Sequence, residues 1–390
     1  TLMDDLVATG TTIIHVTHDM AEAARAQRVV VLADGRLVFS GTPAALFSRT
    51  DLEGWRLVPP PALTIARAYG LNPVPSESAA DLGRRILAHH VHAVSLVSAG
   101  DGSGGAKQLR HGQSATAFEV QAASLEYLAG TPNARLAVDS ASFSVTRGSL
   151  VALVGATGSG KSTLLQLLDA LALPSSGRVI AFGLDTSDPS VDPRAVRIRA
   201  PLAVQRPESA IFEQFCGDEV AFGPRNLGLR GAELVARVSK ALNLLGLEYR
   251  EFRDRHTRTL SGGQKRRLAL ASVLAMDPEA LLLDEPGSAL DPLSRLELMS
   301  IILDLVDSGR TVVFATHSME EAFQADRVVI LGKGQVLAWG KPGDLFGGGW
   351  DDSWGLRRPF AAELAAELAA MQAKAGTPDT AACRCGENSL

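Results

Sequence analysis

Short apolar runs recur along the second half of the chain, and each ends in a polar or glycine-containing segment. Because apolar residues fill consecutive positions, these runs are typical of strands buried on both faces of a parallel sheet. Longer stretches with helical periodicity separate them, such as residues 164–171 and 268–274. The predicted strands are residues 150–154, 202–204, 280–283 and 311–315. The alternation predicts an α/β domain with a parallel-sheet core.

An internal repeat links the beginning of the chain to its later part. Residues 6–47 align without gaps on residues 305–346 at a constant offset of 299, which pairs Thr17-His18 with Thr316-His317. Convergence of two units of similar helix, strand and hairpin composition is the alternative, but identical polar residues at loop positions disfavour it. We therefore expect residues 1–71 to be the closing part of a first domain and residues 116–348 to be a complete second domain.

The segments outside these domains differ in composition. Residues 72–115 contain Pro, Gly, Ser and Ala with one helix-like patch at 82–90, and they predict a flexible linker. In the final segment, 349–390, an Ala-rich stretch at 359–373 predicts a helix and the remainder a disordered tail. Because the chain opens at Thr1 inside a helical pattern, we expect an N-terminally truncated or processed start.

A glycine-rich loop follows the predicted strand 150–154 and precedes a predicted helix. Its glycines let successive backbone amides turn toward phosphate oxygens, and the helix N-terminus adds partial positive charge. Lys161 is expected to neutralise the β- and γ-phosphates of ATP, and the Ser162 hydroxyl to ligate Mg²⁺. The predicted ATP-binding residues of the loop are Gly155, Thr157, Gly158, Ser159, Gly160, Lys161, Ser162 and Thr163.

An acidic pair, Asp284-Glu285, follows the predicted strand 280–283. An Asp at the carboxyl end of a strand beside a phosphate loop is placed to hold Mg²⁺, directly or through water. Glu285 is then the candidate that polarises the attacking water. The alternative, in which both carboxylates merely cap the following helix, fits the local sequence but ignores the phosphate loop upstream.

A second anion-facing turn is predicted at Ser261-Gly262-Gly263-Gln264, which follows Leu260 and precedes a predicted helix. The order of the motifs, with the phosphate loop first, then the LSGGQ sequence at 260–264 and then the acidic pair, resembles that of the ATP-binding cassette (ABC) family. LSGGQ is the signature motif of that family. The resemblance implies a P-loop ATPase with a RecA-like parallel-sheet core, an antiparallel β subdomain and a helical signature subdomain. It further implies that two cassettes sandwich two ATP molecules head to tail, with each signature turn closing over the γ-phosphate bound to the other cassette.

The resemblance assigns roles to four further residues. His317 takes the place of the switch histidine that contacts the γ-phosphate, and Gln205 takes that of the Q-loop glutamine that contacts Mg²⁺ and water. Tyr127 stands where an aromatic ring stacks on adenine, and Asp291 falls in the D-loop between the two sites. Without the family resemblance, a histidine at a strand end such as His317 is more commonly structural, and an aromatic residue such as Tyr127 could serve a core.

The signature turn also implies a partner cassette. The first domain, as the sequence stands, lacks its own phosphate loop, Q-loop and signature. We therefore expect the second ABC ATPase domain to come from a fuller form of this chain, from a paralogue or from a homodimer.

Residues 205–213 and 219–226 resemble the ATPases of energy-coupling factor (ECF) importers of vitamins and metal ions. This resemblance implies a motor at the cytoplasmic face of the cell membrane that docks with a transmembrane coupling protein and a substrate-binding membrane protein. Three residues depart from the family pattern: Gly287 replaces the usual Thr, Ala289 a common Gly, and Val204 a frequent aromatic residue.

Composition narrows the alternatives. The net charge of -5 gives no global basic field, so no nucleic acid partner is expected, and no apolar run approaches the roughly 18 to 20 residues of a membrane span. The few cysteines suit a reducing cytoplasm, and Cys383 with Cys385 makes a poor zinc site.

A soluble tandem ABC ATPase acting on ribosomes or DNA stays open as an alternative function, although such a protein should carry a long charged interdomain helix. The reactive residues described above disfavour a non-catalytic regulatory ABC protein.

Overall fold

The computed structural model describes residues 2–72, 74–89, 115–288 and 290–375. The chain divides into two units: residues up to His89, grouped with Asp291–Leu293, form the first, and the rest of the described chain forms the second. Most of the predicted linker, Ala289, and the tail that holds Cys383 and Cys385 lie outside the described residues.

The first unit consists of short helices around one β-hairpin. Its apolar cluster is built on Leu46, Phe47 and Leu63, each of which is almost completely buried. The helices are Leu2–Ala8, Met20–Ala23, Pro43–Phe47, Pro61–Ala68 and Ala79–His89, the 3-10 turn is Leu52–Trp55, and the strands are Val29–Ala33 and Arg36–Gly41.

The hairpin of the first unit has a counterpart in the second. Val29–Ala33 pairs antiparallel with Arg36–Gly41, and Arg327–Gly332 pairs antiparallel with Gln335–Gly340. Every Cα pair of the first hairpin recurs in the second at the offset of 299, and the shift in strand register falls at the same relative position. The repeat seen in the sequence is therefore also a repeat of local structure.

The two copies differ at residues 12–17. Their counterpart is the strand Thr311–Thr316, which is buried along its whole length, whereas residues 12–17 form no strand. Ile14 and Val16 are 91% and 92% exposed. Thr311–Thr316 is a strand because it pairs with a neighbour on either side. In the described part of the first unit, the hairpin is the whole of the sheet, so the same pattern has no such neighbours.

The expectation that a flexible linker begins at residue 72 needs correction, because the first unit continues to His89. The helix Ala79–His89 buries Leu82 and Ile86 completely, and these residues lie one helical turn apart on one face. Arg85 donates to both carboxylate oxygens of Glu77 at 2.7 Å. Apolar burial and this ion pair hold residues 74–89 in a folded segment.

The second unit carries ten strands and ten helices among its described residues, and it provides the predicted chemistry. Its strands are Thr116–Tyr127, Arg135–Thr146, Leu150–Gly155, Ser176–Ala181, Leu184–Asp185, Leu202–Ala203, Ala280–Asp284, Thr311–Thr316, Arg327–Gly332 and Gln335–Gly340. Its helices are Lys161–Leu168, Pro193–Arg199, Cys216–Asn226, Gly231–Leu244, Tyr249–Phe252, Gly262–Ala275, Pro292–Asp307, Met319–Ala322, Pro342–Phe346 and Phe360–Ala375. The 3-10 turns are Pro207–Ser209, Thr257–Thr259 and Asp352–Trp354.

A six-stranded sheet forms the core of this unit. Leu150–Gly155 lies in its interior, between Thr311–Thr316 and Arg327–Gly332, and is parallel to both. Ala280–Asp284 pairs in parallel with the far side of Thr311–Thr316, and Leu202–Ala203 closes that edge. The carboxyl ends of these strands meet at one edge of the sheet, which is where polar residues of parallel sheets collect.

Alternate residues of the central strand enter two different apolar clusters. Val151 and Leu153 face the four-stranded antiparallel sheet and the helix Lys161–Leu168. Leu150, Ala152 and Val154 face the opposite cluster, which includes residues of the helices Cys216–Asn226, Gly231–Leu244 and Gly262–Ala275. Burial on both faces explains why the strand sequence is apolar throughout.

No helix of the described chain is long and apolar enough to cross a membrane.

Candidate functional site

The predicted phosphate loop joins the strand Leu150–Gly155 to the helix Lys161–Leu168. Gly160 has φ of 104°, and a Cβ there would lie 2.7 Å from the carbonyl oxygen of Ala137, so only glycine fits. Thr157 and Gly158 are exposed at the apex of the loop. The loop therefore offers its apex and the helix N-terminus to an incoming anion.

Lys161 lies under the loop and is almost completely buried. Its Nζ donates to the carbonyl oxygen of Gly155 at 2.8 Å and to that of Ala156 at 3.1 Å. Burial lowers the pKa of Lys161, and the nearby carboxylates of Glu285 and Asp284 oppose that shift. These contacts place a cation between the loop and the acidic pair.

Asp284 ends the strand Ala280–Asp284 and reaches the start of the loop helix, where it hydrogen-bonds to Ser162. Burial raises the pKa of Asp284, and Glu285 adds to the rise, while the bond to Ser162 and the charge of Lys161 act against it. The hydroxyl and the carboxylate predicted to bind Mg²⁺ thus belong to the same part of the site.

Glu285 lies at the centre of the predicted catalytic residues. Its carboxylate accepts from Nε2 of Gln205 at 2.6 Å and lies 2.5 Å from Nε2 of His317. Its backbone N–H donates to the carbonyl oxygen of Ala315 at 3.0 Å. The structure therefore brings the three residues predicted to be catalytic into contact around one carboxylate.

Tyr127 lies at the end of the long strand Thr116–Tyr127 and is 40% exposed. Its hydroxyl donates to Oε1 of Gln166 at 2.9 Å, and Gln166 belongs to the phosphate-loop helix. The ring is therefore held beside that helix and is accessible to solvent, as a stacking surface for a base must be.

The signature segment begins the helix Gly262–Ala275, with Ser261 as its N-cap. The Ser261 hydroxyl accepts from the backbone N–H of Gln264, and Oε1 of Gln264 accepts from the backbone N–H of Ser261 at 3.0 Å. This reciprocal capping box fixes the turn. Ser261 and Gly262 are exposed, whereas the side chain of Gln264 is engaged in the hydrogen bond with the backbone of Ser261.

Arg266 is a residue that sequence reasoning does not single out. It lies in the signature helix and donates to the backbone of Gln205 and of Glu285, two residues far from it in sequence. The basic run 265–267 marks only a positive segment, and nothing in its spacing reveals these contacts.

The structure gives a reason for one of the three departures from the family pattern. A Cβ at Gly287 would lie 2.9 Å from Oε1 of the buried Glu321, so the absence of a side chain relieves a close approach. Val204 is 41% exposed beside Gln205, and its effect has no structural explanation. Ala289 lies outside the described residues.

These groups define a chemistry. The loop and the helix N-terminus suit phosphate binding, Lys161 adds positive charge, and Glu285 provides a carboxylate that two side chains orient. Together on a parallel sheet they define a P-loop nucleotide hydrolase.

Comparison with known proteins agrees with this class. The family model for the ABC transporter matches residues 138–288. The energy-coupling factor transporter ATP-binding protein EcfA2 of Symbiobacterium thermophilum is 43% identical over 250 residues, which are 64% of this chain and 86% of that protein. EcfA2 of Streptococcus pneumoniae is 43% identical over 223 residues, which are 56% of this chain and 80% of that protein.

Solved structures agree as well. CbiO1 from Clostridium perfringens, described as part of the ABC transporter complex cbiONQ, has 32% identity and a TM-score of 0.54 over 59% of this chain and 90% of its own. MJ0796, described as a dimeric bacterial ABC transporter cassette, has 28% identity and a TM-score of 0.53 over 58% of this chain and 98% of its own.

The chain therefore belongs to the ABC transporter ATPases, within the family of energy-coupling factor transporter ATP-binding proteins. The predicted fold and the predicted ATPase activity are confirmed.

Proposed function

We propose that this chain is the ATP-driven motor of an ECF-type importer of vitamins or metal ions, working with partner proteins at the cytoplasmic face of the cell membrane. The contact of Glu285 with both Gln205 and His317 carries the hydrolytic part of this proposal. The names of the similar EcfA2 proteins support the transport part.

In this proposal the residues of the second unit divide the work of hydrolysis. The loop amides and Lys161 bind the β- and γ-phosphates, and Tyr127 stacks on the adenine. Glu285 orients the attacking water, with His317 holding the carboxylate on one side and Gln205 on the other. Charge that develops on the γ-phosphate is stabilised by Lys161 and the loop, which are fixed before the nucleotide arrives.

The oxygen groups of the site fit Mg²⁺. Ser162 lies near enough to Asp284 to lower the pKa of its carboxyl group, and hydroxyl and carboxylate oxygens are ligands that Mg²⁺ prefers. Gln205 would be the third contact. Among the described residues, no group of three or more His, Cys, Asp or Glu side chains could hold a metal, which suits an ion that binds together with nucleotide phosphates. When bound, Mg²⁺ would neutralise phosphate charge.

The signature turn is proposed to serve the nucleotide of a partner cassette. Ser261 and Gly262 are exposed and stand at the N-terminus of a helix of four turns, where backbone N–H groups attract an anion. The phosphate loop already supplies this cassette with one such cradle. A second ABC ATPase domain, from a fuller form of this chain, a paralogue or a homodimer, would complete two sites.

The first unit is proposed to be the closing part of another cassette. Its hairpin shares the register of its counterpart, and the helices Met20–Ala23 and Pro43–Phe47 have the same relative bounds as Met319–Ala322 and Pro342–Phe346. A hydrogen bond recurs too: Thr17 donates to Glu22 at 2.6 Å, and Thr316 donates to Glu321 at 2.5 Å.

Membrane partners are proposed to dock beside the Q-loop. Phe212 and Phe222 are 64% and 42% exposed, and their rings meet edge to face at a centroid distance of 4.7 Å. The carboxylate of the buried Glu219 accepts from the backbone N–H of Phe212 and of Glu213, which fixes the turn that carries the first ring. A rigid exposed aromatic pair is typical of a protein contact surface.

Purification of the chain from its own cells, with identification of the bound proteins, tests the proposal. Recovery with small hydrophobic membrane proteins, at a yield that falls for Phe212→Ser, is the expected result. Recovery with ribosomes would contradict an importer and favour the soluble alternative. Steady-state ATP hydrolysis by the purified protein tests the motor activity separately.

A further inference from the structure

Arg266 connects three parts of the second unit that are far apart in sequence. It lies in the first turns of the signature helix Gly262–Ala275. Its Nη1 donates to the carbonyl oxygen of Glu285 at 2.6 Å and to Oγ of Ser288 at 2.8 Å, and its Nη2 donates to the carbonyl oxygen of Gln205 at 2.6 Å. The planar guanidinium group can hold these acceptors together, because its donors point in fixed directions.

The backbone of Glu285 needs such support. Its φ of 50° lies in the left-handed region, which is unfavourable for a residue that carries a Cβ atom. The N–H of Glu285 donates to Ala315, and its carbonyl oxygen accepts from Arg266 at 2.6 Å and from the backbone N–H of Ser288 at 3.1 Å. Removal of the guanidinium group leaves that carbonyl with only the more distant donor of the neighbouring turn.

Arg266 also acts on a side chain that touches the carboxylate. Gln205 donates to Oε2 of Glu285 through its amide, while its backbone carbonyl accepts from Arg266. One guanidinium group thus fixes the backbone of Glu285 and the backbone of its amide partner.

We propose that Arg266 is a positioning residue for ATP hydrolysis, which couples the signature helix of a cassette to the hydrolytic carboxylate of the same cassette. The inference rests on the proposed roles of Glu285 and the signature turn. A nucleotide that binds the exposed turn at Ser261 would shift the position of the signature helix. Arg266 would transmit this shift to Glu285 in the cassette's own site. The nucleotides bound at the two sites of a closed pair would thereby influence each other's hydrolysis.

Steady-state hydrolysis at varied ATP concentration tests this role in the full chain. We compare the wild type with Arg266→Met, Arg266→Lys and the control Arg258→Met, which removes the same charge from an exposed position just before the signature. For Arg266→Met we expect kcat to fall at least about tenfold, because small misplacements of a catalytic group have large effects on rate, while KM for ATP changes less than about threefold. Arg258→Met should match the wild type.

Arg266→Lys separates positioning from folding. A lysine amine keeps the charge, yet it cannot reach both carbonyl oxygens as a guanidinium group does. We expect Arg266→Lys to unfold at the wild-type temperature and still to lose at least about threefold in kcat. Full recovery of kcat in this variant, or a kcat of Arg266→Met within about twofold of wild type, would overturn the inference. A wild-type protein that hydrolyses no ATP would instead overturn the proposed function itself.

Discussion

Nε2 of His317 lies 2.5 Å from Oε1 of Glu285, although 31 intervening positions separate the two residues in the chain. The register of two parallel strands explains this proximity, because Ala315 is paired with Asp284. Glu285 is one residue beyond Asp284, and His317 is two residues beyond Ala315, at the same edge of the sheet. The contact makes the carboxylate a group of fixed orientation, and several predictions about hydrolysis depend on it.

Glu285→Gln should retain ATP binding and slow hydrolysis at least about 100-fold, because an amide cannot accept a proton from the attacking water as a carboxylate does. Single-turnover hydrolysis and equilibrium binding of a fluorescent ATP analogue measure the two properties. Glu363→Gln, at an exposed position of the C-terminal helix, is the matched control. Near-normal turnover in Glu285→Gln would remove Glu285 from the role proposed for it.

His317→Ala should lower kcat by about tenfold to 100-fold and leave the dissociation constant for ATP within a few-fold of wild type, because it releases one side of the Glu285 carboxylate. His89→Ala, which alters an exposed histidine of the first unit, should behave as wild type. A large loss of ATP affinity with unchanged kcat would show that His317 acts on binding instead.

Lys161→Ala should weaken ATP binding itself by at least about tenfold, because it removes the cation expected at the β- and γ-phosphates. Titration with a fluorescent nucleotide is the measurement, and the exposed Lys240→Ala is the control. If Lys161→Ala binds ATP as tightly as Lys240→Ala, phosphate recognition rests on the loop amides alone.

Two substitutions at Tyr127 separate stacking from hydrogen bonding. Tyr127→Ala should raise the dissociation constant for ATP about fivefold, equivalent to the about 1 kcal/mol of a stacking contact. Tyr127→Phe keeps the ring and loses only the bond to Gln166, so it should bind ATP nearly as well as wild type. Equal losses in the two variants would argue that the hydroxyl, and not the ring, matters.

Asp169, at the end of the phosphate-loop helix, should make the protein less stable as pH rises. Burial raises the pKa of Asp169 to about 6, well above the value of an exposed Asp. Between these two values the folded protein holds more protons than the unfolded chain, so its free energy of unfolding falls as pH increases through that window. Asp169→Asn abolishes this dependence. Its free energy of unfolding should therefore rise by up to about 3 kcal/mol relative to that of the wild type between pH about 4 and about 7.

Urea unfolding at a series of pH values measures this difference. Asp188→Asn is the control, because Asp188 should have the opposite effect on the pH dependence of stability. Hydrogen bonds from Ser190 lower the pKa of the exposed Asp188, so this carboxylate contributes stability as pH rises. A difference between Asp169→Asn and wild type that shrinks as pH rises would contradict the assignment.

Local sequence was sufficient to predict the phosphate loop, the acidic pair and the four strands around them. The strands are short apolar runs, and the loop and the acidic pair are motifs that directly follow two of these runs. Only the family resemblance assigned Gln205 and His317 to the site, and their contacts with Glu285 became visible in the fold. Arg266 shows the limit: its acceptors lie at Gln205 and at Glu285, and only the packing of the signature helix against the sheet edge brings them together.

The linker shows a different limit. The Pro, Gly, Ser and Ala content of residues 72–115 predicted a linker with one helix-like patch at 82–90, whereas the structure extends the first unit through the helix Ala79–His89, in which Leu82 and Ile86 are spaced for burial on one face. Composition describes a whole segment, whereas packing depends on the positions of two or three residues within it.

Residues 12–17 and the strand Thr311–Thr316 carry closely similar apolar patterns, but only the second is covered. Ile14 and Val16 therefore place β-branched side chains in water, and the strand Val29–Ala33 of the same unit pairs on one side only within the described sheet. Such a segment favours intermolecular strand pairing. The solubility of the purified chain should consequently depend on these two residues, and Ile14→Lys with Val16→Lys should reduce light scattering at high protein concentration.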